Sequence, residues 1–256
     1  MAKTREQVQV QGPIATATTA ARKSEQGNYA ASIGGDLAKA IQDVWLETDV
    51  SNRSRTFVSL RDERVFNIAS SMLGNILEAA GMDLNDPSMK DTPKRFLKYL
   101  LEFRNEPDYR AILGTEFDHS EKHAKCQDSI TGMVTQHNIP VRMVCEHHLL
   151  PAIGKCAIGY VPSGKVVGLS KLARLVDAVG TRRPSLQERI CEEVTDALQQ
   201  VLDPKGVIVV MQAEHSCMAC RGVNSPGIPT TTSCVRGIFR DVPQARQEFF
   251  ALTKTM

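Results

Sequence analysis

Two short clusters of Cys and His constrain this chain more than any other feature: Cys145-Glu146-His147-His148, and His215-Ser216-Cys217 with Cys220 and Arg221 close behind. If both serve one ion, the fold must bring two distant segments to a single point. Cys and His are the ligand types that zinc prefers, and the C-x-x-H spacing lets Cys145 and His148 converge from a turn. His215 and Cys217, two apart on an extended segment, can face one side. Cys145, His148 and Cys217 would form a three-ligand set with an open position, as in catalytic zinc sites, leaving His147 and His215 beside the metal as proton carriers. A closed Cys₃His site of Cys145, His148, Cys217 and Cys220 is the competing reading, and spacing alone does not separate the two.

Composition sets the frame. The chain has 256 residues, 42% hydrophobic and 23% charged, with a net charge of +2. Such values fit a globular chain and give no strong field for nucleic acid or membrane. An anionic ligand must therefore be held by local cations. Seven cysteines, with no apolar leader-type segment and no membrane-length apolar run, point to a reducing cytoplasmic setting in which the thiols are free or bind metal.

Residues 1–60 read as an extension: the first 35 or so are polar and aperiodic, with a possible short helix near Leu37–Trp45. The catalytic domain is expected over 61–256. Val65, Ile68, Ala69, Met72, Leu73, Ile76 and Leu77 recur at helical spacing, closed by Gly81. Thr92-Pro93 opens a second helix, with Phe96, Tyr99, Leu100 and Phe103 as its stripe. Residues 105–127 read as a connecting loop. Strands are expected over 130–136, 140–144, 155–162, 206–212 and 230–239. Helices are expected from Ser170 as N-cap, from Pro184 to Leu202, and over 243–253. Helices beside antiparallel strands argue for an α+β domain.

Three further constellations carry chemistry. Ser170, Lys171 and Arg174 open a helix, where unpaired N–H groups and the dipole attract phosphate; a K-x-x-R pair alone is usually a solvated face. Arg221 and Arg95 are separate basic candidates. Gln187-Glu188-Arg189 starts another helix, where a carboxylate could pair with the N–H edge of a guanine, although a first-turn Glu is ordinary on dipole grounds.

Together these motifs resemble the GTP cyclohydrolase I family. The resemblance runs from Thr92-Pro93-Lys94-Arg95 through Cys145-Glu146-His147-His148, Gly154-Lys155, Gly159-Tyr160, Gly168 to Arg174, Gln187-Glu188-Arg189, His215-Ser216-Cys217, Arg221-Gly222 and Thr230 to Ser233, to Arg246-Gln247-Glu248-Phe249. It covers roughly residues 62–253. It implies a tunnelling fold (T-fold), an antiparallel sheet with helices packed on one side that assembles into a multi-subunit barrel. A homodecamer of two pentamers is expected, with no nucleic-acid or membrane partner. The implied reaction takes GTP and water to 7,8-dihydroneopterin triphosphate and formate. By motif position Cys145, His148 and Cys217 are the zinc ligands, His147 and His215 the catalytic histidines, and Glu188 the guanine anchor, helped by Gln187 and the backbone near Leu186. Ser170, Lys171, Arg174 and Arg221 hold the triphosphate, and Arg95 is a cation lent by the neighbouring subunit. The chemistry suits the set: carbon 8 of a purine is a poor electrophile until nitrogen 7 is protonated, which asks for a near-neutral acid and a Lewis acid together. Ser185 departs from the family, which often has Gln there. A related T-fold enzyme of deazaguanine synthesis and a non-catalytic zinc scaffold are the alternatives.

Overall fold

The computed structural model describes Leu60 and residues 62–103, 107–114, 116–118 and 132–253. The expected helix near Leu37–Trp45 lies outside them. The chain divides into two compact units, one ending at Tyr99 and one starting at Leu100.

The first unit contains α1 (Glu63–Ala79) and most of α2 (Thr92–Glu102). Asp62 caps α1, its carboxylate accepting from the N–H groups of Arg64 and Val65 at 2.9 and 3.4 Å. Gly81, at φ +87°, ends it as expected. The apolar stripe of α1 stays half-open, with Ile76 63% exposed. In α2 Pro93 and Leu97 are buried; of the expected stripe Phe96 is exposed, Tyr99 and Leu100 are half-buried, and Phe103, just past the helix, is buried.

The second unit is built on a four-stranded antiparallel sheet in the order β2-β3-β5-β6: β2 (Val134–Val144), β3 (Pro151–Val161), β5 (Gly206–His215) and β6 (Pro229–Gly237). The segment expected to be a plain loop holds α3 (Tyr109–Leu113) and β1 (Glu116–Asp118), and β1 pairs with β4 (Lys165–Val167). The Asp108 carboxylate caps α3, and Leu113 is fully buried. A short segment with one anchoring Leu carries too little periodicity to be read locally.

The two expected strands 130–136 and 140–144 are one strand from Val134, bent by a bulge between Gln136 and Ile139 with Asn138 at φ +57°. Alternation then sorts the side chains. Val207, Val209, Met211 and Ala213 face one core with α4 (Leu169–Gly180) and α5 (Gln187–Leu202), while Ile208 and Val210 face a second core with Phe239 and Phe249. Helices were expected on one side only. Here α7 (Ile238–Asp241) and α8 (Pro243–Leu252) cover part of the other face, which explains why β5 reads as an almost unbroken apolar run. Each large side chain buried there contributes about 1.5–3 kcal/mol.

The helix starts are also shifted. Gly168, not Ser170, caps α4, and Ser170 sits in its exposed first turn. α5 begins at Gln187 because the preceding residues are pinned elsewhere: Ser185 N–H donates to Val144 O at 2.9 Å, and Glu146 N–H to Ser185 O at 3.3 Å. It ends at Asp203, in the left-handed conformation, just before Pro204.

Candidate functional site

Sheet register brings the two Cys/His clusters together. Val144, the last residue of β2, pairs with Pro151, and Ala152 pairs with His215, the last residue of β5. Cys145 therefore leaves one strand beside the point where His215 ends another, with only β3 between them. Cys217 follows in the one-turn helix α6 (Ser216–Ala219). One ligand atom from each of Cys145, His215 and Cys217 lies within 4.8 Å of the others.

Cys145 opens a tight turn. Its N–H donates to Leu150 O and its carbonyl accepts from Leu149 N–H. Leu149 adopts φ +54°, a strained setting for a branched residue. A parallel bridge between Cys145 and Ser185 ties this turn to the residues before α5. The His147 and His148 rings, both exposed, stand edge to face at 6.2 Å, and His147 Nδ1 lies 3.9 Å from Cys145 Sγ.

These elements enclose a cleft of about 320 Å³. It is lined by Cys145, His147, His148, Leu186, Gln187, Glu188, His215 and Cys217, as expected, and also by Ser185, Met218 and Thr230. The thiols fit a metal on chemical grounds. Burial, and then the neighbouring Cys145 thiol, push the Cys217 pKa up. Two adjacent thiols resist joint ionisation unless a cation compensates them. Burial pulls His215 below the usual histidine range, partly opposed by the Glu188 carboxylate. His215 Nε2 is 2.9 Å from Gln187 Oε1. Cys220 is exposed, its thiol directed to Ser216 O at 2.9 Å, and it does not belong to the metal-type group.

Other expected residues lie outside the cleft lining. Ser170, Lys171 and Arg174 occupy the first turns of α4, and the two cations form no ion pair among the described residues. Arg221 is exposed and close enough to Cys217 to draw its pKa down slightly. Arg95 belongs to the first unit, where it donates to Ser88 O at 3.1 Å and lies 3.8 Å from Asp91.

Sequence reasoning missed the tie between Arg189 and Glu146, at 3.0 and 3.3 Å. Gln187, expected to help the base anchor, lines the cleft and is 2% exposed, with its amide hydrogen-bonded to protein groups. Nothing local signals either arrangement.

Comparison with known proteins places this geometry in context. The family model described as GTP cyclohydrolase I matches residues 69–254. A GTP cyclohydrolase 1 of Halalkalibacterium halodurans is 47% identical over 186 residues, which is 70% of this chain and 92% of that protein. One from Carboxydothermus hydrogenoformans is 42% identical over 75% of this chain and 94% of its own, and one from Bacillus subtilis 44% identical over 68% and 87%. A crystal structure of the archaeosine synthase QueF-Like in the apo form aligns with TM-score 0.36 and 16% identity over 43% of this chain and 97% of that one, too low to carry an argument. With a family match over most of its length and these identities, the chain belongs to the GTP cyclohydrolase I family.

Proposed function

We propose that this chain converts GTP and water to 7,8-dihydroneopterin triphosphate and formate, within pterin biosynthesis. The observation that carries the reading is the convergence of Cys145, His215 and Cys217 with Glu188 in one cleft, in a chain of this family.

The residues divide the work as follows. Glu188, in the first turn of α5, accepts from the N–H edge of guanine and selects that base. Ser170, Lys171, Arg174 and Arg221 hold the triphosphate and so fix the substrate's far end, orienting carbon 8 toward the thiols. Arg95 adds a cation from a neighbouring subunit. His215 delivers a proton to nitrogen 7, and His147 assists later proton transfers during ring opening and reclosure.

The metal is proposed to be zinc, held by Cys145, Cys217 and His148. Its chemistry there is Lewis-acid polarisation of water at neutral pH. His215 lies closer to the two thiols in this structure, but its Nε2 is already engaged by Gln187 at 2.9 Å. His148 sits on the turn that Cys145 opens, and it lines the same cleft.

The catalytic domain is taken as 61–256, with 1–60 an extension, and the fold as a T-fold. Both edge strands, β2 and β6, have one partner each among the described strands. Unpaired edges of this length invite strand addition by further copies, which supports a barrel of subunits and a decamer of two pentamers. No helix among the described residues is long and apolar enough to cross a membrane, and the described cysteines are free thiols; both accord with a cytoplasmic enzyme.

The test is anaerobic incubation of zinc-loaded protein with GTP, following formate and pterin absorbance together. Both should appear, and both should vanish on chelation. Bound zinc with neither product would refute the assignment and favour a non-catalytic scaffold.

A further inference from the structure

The Gln187 side chain is buried where α5 begins, and every polar atom of its amide has a partner. Nε2 lies 3.1 Å from Met211 O, 3.0 Å from Thr230 O and 3.1 Å from Thr232 Oγ1. Oε1 lies 2.9 Å from His215 Nε2. The orientation of an amide is often open, because its nitrogen and oxygen look alike. Here it is determined. Two of the groups facing one amide position are backbone carbonyls, which only accept. Turning the amide over would set its oxygen against both, in a site too buried for water to compensate. The nitrogen must face the carbonyls, so the oxygen must face His215.

An amide oxygen only accepts, so His215 must carry its hydrogen on Nε2. The neutral ring then has its lone pair on Nδ1.

We propose that Gln187 is a positioning residue that fixes the tautomer and orientation of His215, leaving the lone pair of the neutral ring on Nδ1, rather than a contact to the substrate base. The strand register makes this a property of the sheet. Met211 pairs with Thr232 and Ala213 with Thr230, so the acceptors that orient the amide belong to β5 and to its neighbour β6. His215 itself ends β5. Tautomer control by a hydrogen bond to the far ring nitrogen is how proteins commonly prepare a working histidine.

The proposal rests on the assignment of His215 to proton transfer, and its test separates the two. Nitrogen-15 spectra of histidine-labelled wild-type protein, with the His215 signal identified by its loss in His215→Ala, read the tautomer directly. Hydrogen on Nε2 is expected; hydrogen on Nδ1 overturns the proposal without need of a variant. Gln187→Met should release the ring into a mixture of tautomers. In turnover with GTP it should lower kcat about 10- to 100-fold, the range for loss of a supporting hydrogen bond, with KM within about threefold of wild type. A raised KM with kcat intact would make Gln187 a base contact and overturn the proposal. If wild-type protein shows the Nε2 tautomer yet releases no formate from GTP, the positioning stands and the GTP assignment fails.

Discussion

Arg189, on the first turn of α5, reaches both carboxylate oxygens of Glu146, at 3.0 and 3.3 Å. Glu146 lies between Cys145 and His147, and Arg189 follows Glu188. The pair therefore ties the turn carrying the metal-type Cys to the helix carrying the proposed guanine anchor. Arg189 is exposed at 58% and Glu146 partly so at 30%, so the bond contributes little to stability, about 0.2–1 kcal/mol. Arg189→Ala should melt within a few degrees of wild type yet lower kcat/KM several-fold. A Glu146→Gln variant should lose a similar amount, and the double variant no more than either alone. Additive losses would show that the two act independently.

Metal content distinguishes the ligand sets. Cys145→Ser and Cys217→Ser should lose bound zinc. Cys220→Ala should retain it, because the exposed Cys220 thiol faces Ser216 O. His148→Ala should lose zinc and His215→Ala should keep it. The reverse pattern for the two histidines would make His215 the third ligand, as its proximity to the thiols allows. Elemental analysis after gel filtration reads all five.

Glu188 lines the cleft at the start of α5. Loss of a charged hydrogen-bond acceptor typically costs about 1.5–3 kcal/mol. Glu188→Ala should therefore raise KM for GTP by roughly 10- to 100-fold. An unchanged KM would remove Glu188 as the guanine anchor.

Stability should fall in alkali, for reasons visible in the core. Burial pushes the Cys191 thiol up to about 12 and raises Cys156 as well. Tyr109 is raised by burial and by its hydrogen bond to the Glu193 carboxylate. Each group keeps its proton in the folded chain at pH values where the unfolded chain has lost it. The stability they contribute is complete below the unfolded values, near 9 for Cys and 10 for Tyr. It falls as pH rises beyond them. Denaturant titrations at pH 7, 9 and 10.5 should show this decline. Tyr109→Phe should cost about 1 kcal/mol at pH 7 and flatten the curve above pH 10. An unaltered slope there would mean that Tyr109 is not the titrating group.

Gly159 lets Phe249 lie on the sheet. A Cβ there would come within 2.6 Å of the Phe249 ring and 3.0 Å of Ile208. Gly159→Ala should destabilise by about 1–3 kcal/mol, as overpacking does. Adding Phe249→Leu to that variant should cost less than Phe249→Leu does alone. Thermal melts of the four proteins would show the coupling.

Much of this was legible from the residues. The helix expected from Pro184 to Leu202 is α5, and its end at Leu202 was read from the residues. Gly81 ends α1 by local chemistry that any short window carries. The Cys/His clusters named the metal-type site because ligand chemistry restricts which residue types can serve. The late start of α5 was not legible, since Ser185 is claimed by Val144 and Glu146, some forty residues away in sequence. The bulge at Gln136–Ile139 read as a break between two strands, because pairing with β3 is what makes it one strand.

The sequence by itself determined periodicity, caps and ligand types, which depend on neighbours within a turn or two of chain. Only the tertiary structure decided which side chains face one another. The β2-β3-β5-β6 register set His215 beside Cys145, and the carbonyls of Met211 and Thr230 turned the Gln187 amide toward His215. The physical reason is that a buried polar group takes whatever partner the packed chain brings within about 3 Å, and that partner is set by long-range register rather than local propensity.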